Sequence, residues 1–149
     1  MHAAFGTRVE VPNRWQPQEA DVVVVPGGRG VRTEIQRGVL PAALAAAARP
    51  GLTISSLCTG TLLLSAAGLT KGRPCTGHHT VKSRLAAEGG IVKDARVVDD
   101  GDLVTAAGIT SGLELALWLV RRELGSDVAT QVESVALEYE ARGTVWTSS

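Results

Sequence analysis

The hydrophobic positions of the chain fall into short, dense blocks separated by turn residues. Val22 to Val25, set between Asp21 and Pro26-Gly27-Gly28, is a wholly apolar β-branched block. It predicts a strand buried on both faces, as in a parallel sheet covered by helices. From Thr33 to Arg49 the spacing turns helical. Gly38 and Pro41 interrupt it, and the alanine-rich stretch 42–48 has the highest helix propensity, so two short helices are expected. Leu52 to Leu57 reads as a second strand, and Thr59 to Ala67 as a helix closed by Gly68. Thr80 to Glu88 is an amphipathic helix ending at Gly89-Gly90. Ala95 to Val98 and Leu103 to Ala106 flank Asp99-Asp100-Gly101-Asp102, where Asp-Gly signals a hairpin. Ser111 and Glu114 form a capping box before Leu113 to Leu124, a helix apolar on nearly every side and so expected to be deeply buried. A last helix, about Ser126 to Tyr139, trails into Gly143-Thr144-Val145-Trp146. Strands alternating with helices, without repeat or linker, predict one α/β domain over residues 1–149 with an open, mainly parallel sheet.

Composition narrows the function classes. The chain of 149 residues is long enough for one domain with a substantial core. Its 15 acidic and 15 basic side chains balance, and no basic cluster exceeds a pair such as Arg121-Arg122, so nucleic acid and anionic membrane surfaces are not expected partners. The longest apolar run, Leu40 to Ala48, contains Pro41 and falls far short of the roughly 20 residues that a membrane span needs. The start, Met1-His2-Ala3-Ala4-Phe5, lacks the basic and apolar stretches of a secretory signal. Two cysteines make no disulfide framework, and a cytoplasmic location is expected.

The candidate chemistry centres on Ser56-Leu57-Cys58-Thr59-Gly60, where a strand ends and a helix begins. A reactive side chain at such a junction occupies a sharp turn, and small residues two before and two after it avoid clashes. Ser56 and Gly60 meet that requirement. Amides at the start of a helix favour a thiolate, so Cys58 is expected to be the reactive thiol, against the plainer alternative of a small buried filler. Cys75-Thr76-Gly77 repeats the tripeptide but follows Pro74, with no long apolar strand before it, and reads as a short strand with a buried thiol. Adjacent histidines such as His78-His79 diverge on a strand or helix, and no Cys-x-x-Cys or His-x-x-x-His accompanies them, so no metal site is expected. One of them can instead reach Cys58 from a neighbouring strand end. Pro26-Gly27-Gly28-Arg29-Gly30 emerges at the same sheet edge. An amide from that loop and the Thr59 amide are candidates to hold an oxyanion, whereas the spacing fits neither a phosphate loop nor a dinucleotide fingerprint.

Val-Val-Val-Pro-Gly-Gly at 23–28, Ser-Leu-Cys-Thr-Gly at 56–60 and Ala-Ala-Gly-Leu-Thr-Lys-Gly-Arg at 66–73 resemble the DJ-1/PfpI superfamily. Gly77-His78, the segment 95–101 and Thr105-Ala106-Ala107-Gly108-Ile109-Thr110-Ser111-Gly112 extend the likeness, which is greatest to its isocyanide hydratase-like branch. The resemblance implies a flavodoxin-like three-layer sandwich, commonly dimeric, with Cys58 as nucleophile, Gly28 and Thr59 as oxyanion amides, and His78 as the histidine near the thiol. It implies cysteine-dependent chemistry on a small electrophile, isocyanide hydration to an N-formamide first of all, with no cofactor. Glyoxalase or deglycase chemistry is one alternative, and a catalytically silent ligand-binding or redox-sensing domain is another. The superfamily also includes regulators that carry a helix-turn-helix region after this domain, and the end at Ser149 speaks against that form. One departure stands out: the family's first strand-helix unit, which brings a carboxylate beside the cysteine, is expected to be missing here. Its loss would leave Val22 to Val25 at a sheet edge.

Overall fold

The computed structural model describes residues 6–141 and 143–148. The valine block forms β1 (Val22–Val25), followed by α1 (Val31–Arg37) and α2 (Val39–Ala47). Gly38 separates the two helices at φ +73°, a left-handed turn that costs glycine nothing; Pro41 does not break the chain but sits buried in the first turn of α2. Next come β2 (Thr53–Leu57), α3 (Thr61–Ala66), β3 (Pro74–Cys75), α4 (Lys82–Ala87) and β4 (Ile91–Val92). β5 (Val97–Asp100), β6 (Leu103–Ala106), α5 (Ser111–Leu124), α6 (Ser126–Gln131) and β7 (Val145–Thr147) complete the described elements.

The main sheet runs β1-β2-β6-β5-β7, and only the β5–β6 pair is antiparallel. β3 and β4 pair separately. Side chains alternate across the sheet, and the two faces carry two cores. Val23, Val25, Ile54 and Leu103 pack with Leu44, Leu62 and Leu85 from the helices on one face; Leu57, Val97, Val104 and Ala106 pack with Leu115 and Trp118 of α5 on the other. This is the expected three-layer α/β sandwich.

Several expectations are corrected. β1 is not buried on both faces: it is the end strand, α5 packs over β2, β6 and β5, and Val24 on that side is 49% exposed. The hairpin turns one residue later than Asp100-Gly101. Asp100 pairs with Leu103, and the two-residue loop is Gly101-Asp102, with positive φ at the glycine as a type II′ turn requires. The capping box is not formed, because Ser111 lies inside the helix and Glu114 turns instead to Arg96 (2.8 Å) and the Tyr139 hydroxyl (2.7 Å). Nor is α5 buried all round, since Leu113 and Leu124 are exposed and Trp118 reaches Asp99 through its indole N–H at 2.7 Å. The last helix stops being α-helical after Gln131 and continues as a π-helical turn to Ala136. Val145–Thr147, read as a tail, is a strand that pairs with β5.

Candidate active site

β2 leads directly into the functional turn. Its Ser56 hydroxyl and the Thr61 hydroxyl of α3 share a buried hydrogen bond of 2.8 Å, closing the strand onto the helix that follows. Between them Cys58 has φ +59°. A residue with a β-carbon in the left-handed region costs on the order of 1–3 kcal/mol and persists only where its surroundings hold it. Both of its backbone groups are held: the Cys58 N–H donates to Ala107 O at 2.7 Å, and Cys58 O accepts the His78 N–H at 3.0 Å. Cys58–Gly60 then forms a 3-10 turn into α3.

Two glycines make this packing possible. A β-carbon on Gly60 would run into the carbonyl groups of Val25 and Pro26. One on Gly27 would stand 2.6 Å from the Thr59 nitrogen and 3.0 Å from the Cys58 β-carbon, so glycine there leaves the Thr59 amide uncovered. The loop after β1 thus lies directly on the elbow.

The segment after β3 brings His78 in. The Thr76 amide donates to the Thr105 hydroxyl of β6 at 2.8 Å, and a β-carbon on Gly77 would sit 3.2 Å from Cys58 O. The histidine pair does not diverge as expected. The His78 and His79 ring centroids are 4.2 Å apart, because the chain here is a turn entering a 3-10 helix rather than a strand. His78 Nδ1 lies 2.8 Å from the Thr80 hydroxyl and accepts the Thr80 amide at 3.4 Å, so the neutral ring carries its proton on Nε2. Gly108 backs the ring: a β-carbon there would be 3.3 Å from His78 Cδ2.

Cys58, Thr59, Gly28 and His78 all line one cavity of about 430 Å³, together with Arg29 and Arg32. The volume falls within the range of small-ligand sites, and the cavity lies outside the carboxyl ends of β1 and β2, where open α/β sheets place their sites. Gly28 differs from a free oxyanion donor in one respect, since its amide donates to the Thr59 hydroxyl at 2.9 Å. No aspartate or glutamate among the described residues lines this cavity. Among the described residues no three His, Cys, Asp or Glu side chains converge on a metal-sized site. Cys75 is fully buried, and burial pushes its thiol up to about 11. A larger cavity of about 720 Å³ lies at the opposite end of the sheet and contains neither cysteine nor histidine; there Arg122 is already held by Asp99, Gly101 O and Thr53.

Arg32 lines the site without having been named from sequence, and Ala107 and Gly108, quoted there only within the motif at 105–112, had no role assigned to them. Ala107 acts through its carbonyl and Gly108 through the room it leaves, and neither role has a residue-type signal.

The fold and site define an α/β sandwich protein with a cysteine at a strand-helix elbow, opening on a small cavity. Comparison with known proteins matches the DJ-1/PfpI family over residues 4–122, and the chain belongs to that family. It is 39% identical over 119 residues to an isonitrile hydratase of Pseudomonas putida, covering 80% of this chain and 52% of that protein. Among solved structures, it resembles a ThiJ/PfpI family protein from Pseudomonas syringae, with a TM-score of 0.71 and 32% identity over 82% of this chain and 50% of that one. Drosophila melanogaster DJ-1beta is similar at a TM-score of 0.73 and 25% identity, over 84% of this chain and 68% of that one. The chain spans about half the length of the first two relatives.

Proposed function

We propose that this protein carries out cysteine-dependent chemistry on small electrophiles, with hydration of an isocyanide to an N-formamide as the preferred reaction. The observation that carries the reading is Cys58 itself, held at φ +59° with its side chain on a ligand-sized cavity. The similarity to an isonitrile hydratase supports the choice of substrate. In this reaction the Cys58 thiolate forms a C–S bond to the terminal isocyanide carbon while that carbon takes up a proton. Water then adds to the resulting thioimidate carbon, the C–S bond breaks to regenerate the thiolate, and the formamide leaves. The Thr59 amide, and the Gly28 amide once released from the Thr59 hydroxyl, are the proposed donors to the developing charge. The proposed proton donor is the His78 ring on the cavity wall in its protonated form, which donation leaves as the neutral ring. Purified protein is expected to hydrate alkyl and aryl isocyanides, and Cys58→Ser to lose turnover to background; equal rates in the two proteins would rule the nucleophile out. Methylglyoxal in the same assay tests the glyoxalase alternative.

A second reading has one observation in its favour, the absence of a carboxylate from the described lining of the cavity. Positioned acid-base groups contribute roughly 100- to 10,000-fold in rate, and without one the site can bind or sense instead of turning over. In that case Cys58 thiolate attacks hydrogen peroxide, the O–O bond breaks with loss of hydroxide, and the sulfur becomes a sulfenic acid. Absent turnover with rapid Cys58 oxidation selects this reading.

We also propose that the chain self-associates, in a cytoplasmic setting that keeps the thiol reduced. Among the described residues no helix is long and apolar enough to cross a membrane. β1 ends the sheet with Val24 half exposed, and apolar end strands seek partners. Light scattering of the 149-residue chain is expected to give a dimer or larger species. A stable monomer with strongly protected Val22–Val25 amides would show that the edge is already satisfied.

A further inference from the structure

One residue holds the segment that meets both Cys58 and His78. The stretch 107–110 links β6 to α5. Ala107 O accepts the Cys58 N–H at 2.7 Å, and the His78 ring lies against Gly108. Where this stretch sits therefore sets the elbow and the ring together. Core packing does not hold its middle, since Ile109 is 78% exposed. Arg96 holds both of its ends. The Ala107 N–H donates to Arg96 O at 2.9 Å, and Arg96 Nη2 donates to the Thr110 hydroxyl at 2.9 Å and to Glu114 Oε2, in the first turn of α5, at 2.8 Å. Glu114 is buried, and the Tyr139 hydroxyl donates to its other oxygen at 2.7 Å. A buried carboxylate tolerates little displacement of its cation, because the surrounding medium solvates it poorly. Arg96 is itself seated from the far side. Its N–H donates to Thr144 O at 3.0 Å, and Gly143 leaves room for its stem, where a β-carbon would collide.

We propose that Arg96 is a positioning residue for the Cys58 site, fixing residues 107–110 and through them the Cys58 backbone and the His78 ring. The inference rests on Cys58 as the nucleophile and adds what keeps it in place. A left-handed cysteine persists only while its surroundings hold it, and a displacement of about 1 Å in a reacting group can cost about a hundredfold in rate.

Amide hydrogen exchange tests this without turnover. In the double variant Arg96→Met, Glu114→Gln both charges leave together, so no carboxylate is stranded. The Cys58 amide is compared with the Ile54 amide of β2, which donates to Asp102 O at 2.8 Å and reports the stability of the sheet. The Cys58-to-Ile54 ratio of exchange rates is expected to rise about tenfold, and the His78 ring proton resonances to shift. Arg96→Lys, which keeps a cation for Glu114, should return the ratio to within about twofold of the unmodified chain. An unchanged ratio in the double variant, or equal acceleration of both amides, makes Arg96 a merely structural residue and overturns the proposal. If the double variant does not fold, Thr110→Val removes one contact and no charge; it should raise the ratio about threefold, and an unchanged ratio overturns the proposal equally. In isocyanide hydration the double variant should lose about tenfold in kcat at nearly constant KM, and a rise in KM alone would count against it in the same way. A raised exchange ratio in a chain that hydrates no isocyanide would support Arg96 as a positioning residue while removing the hydratase reading.

Discussion

Gly60→Val is expected to destabilise the protein by about 3 kcal/mol, lowering its melting temperature by about 10 °C. The first added atom is already the problem. A β-carbon at Gly60 meets the carbonyls of Val25 and Pro26, which are backbone atoms of β1 and its following loop and cannot rotate aside as a side chain would. Relief requires the β1 loop to move off the turn, and the same movement disturbs the cavity wall at Gly28 and the setting of Cys58. The variant should therefore lose thiol reactivity along with stability. Gly30→Ala is the control: it lies in the same loop, nothing stands within 4 Å of its added β-carbon, and its φ of −69° is open to any residue. It should change stability by no more than about 0.5 kcal/mol. Thermal unfolding followed by circular dichroism separates the two, and a Gly60→Val protein that melts with the unmodified chain would refute the close approach of loop and elbow.

Cys58 is expected to react with iodoacetamide at neutral pH at least about a hundredfold faster than Cys75. Two factors act in the same direction. Cys58 is half-buried on an open cavity, whereas Cys75 is fully buried, with Gly90 leaving just enough room for its sulfur. Desolvation also holds the Cys75 thiol at about 11, where the thiolate is about a hundred times scarcer at neutral pH than for an ordinary thiol. Peptide mass spectrometry of briefly labelled protein reads both sites at once. Comparable rates, or Cys75 ahead, would remove the elbow cysteine from the functional reading.

The contrast between these cysteines was legible in the sequence because it is local. Four β-branched valines before Pro-Gly-Gly, and an apolar strand running into Cys-Thr-Gly and an apolar helix, specify strand, turn and helix through neighbours alone. Gly60 was recognisable for the same reason, since a sharp turn demands a small residue wherever it occurs. The alternation of such units was enough for the α/β class, and the quoted motifs for the family.

Only the tertiary structure decided what those units meet. Ser111 and Glu114 have the spacing of a capping box, yet the carboxylate is claimed by Arg96 and Tyr139 from distant parts of the chain, and two close partners outweigh one local cap. The valine block looks wholly buried in isolation, but burial depends on which helix lies over it, and α5 covers β2, β6 and β5. β7 is a short segment whose strand character comes from pairing with β5 and not from its own pattern. His78 reaches Cys58 because Gly77 permits the chain to cross the end of β2, a backbone contact that no residue type announces.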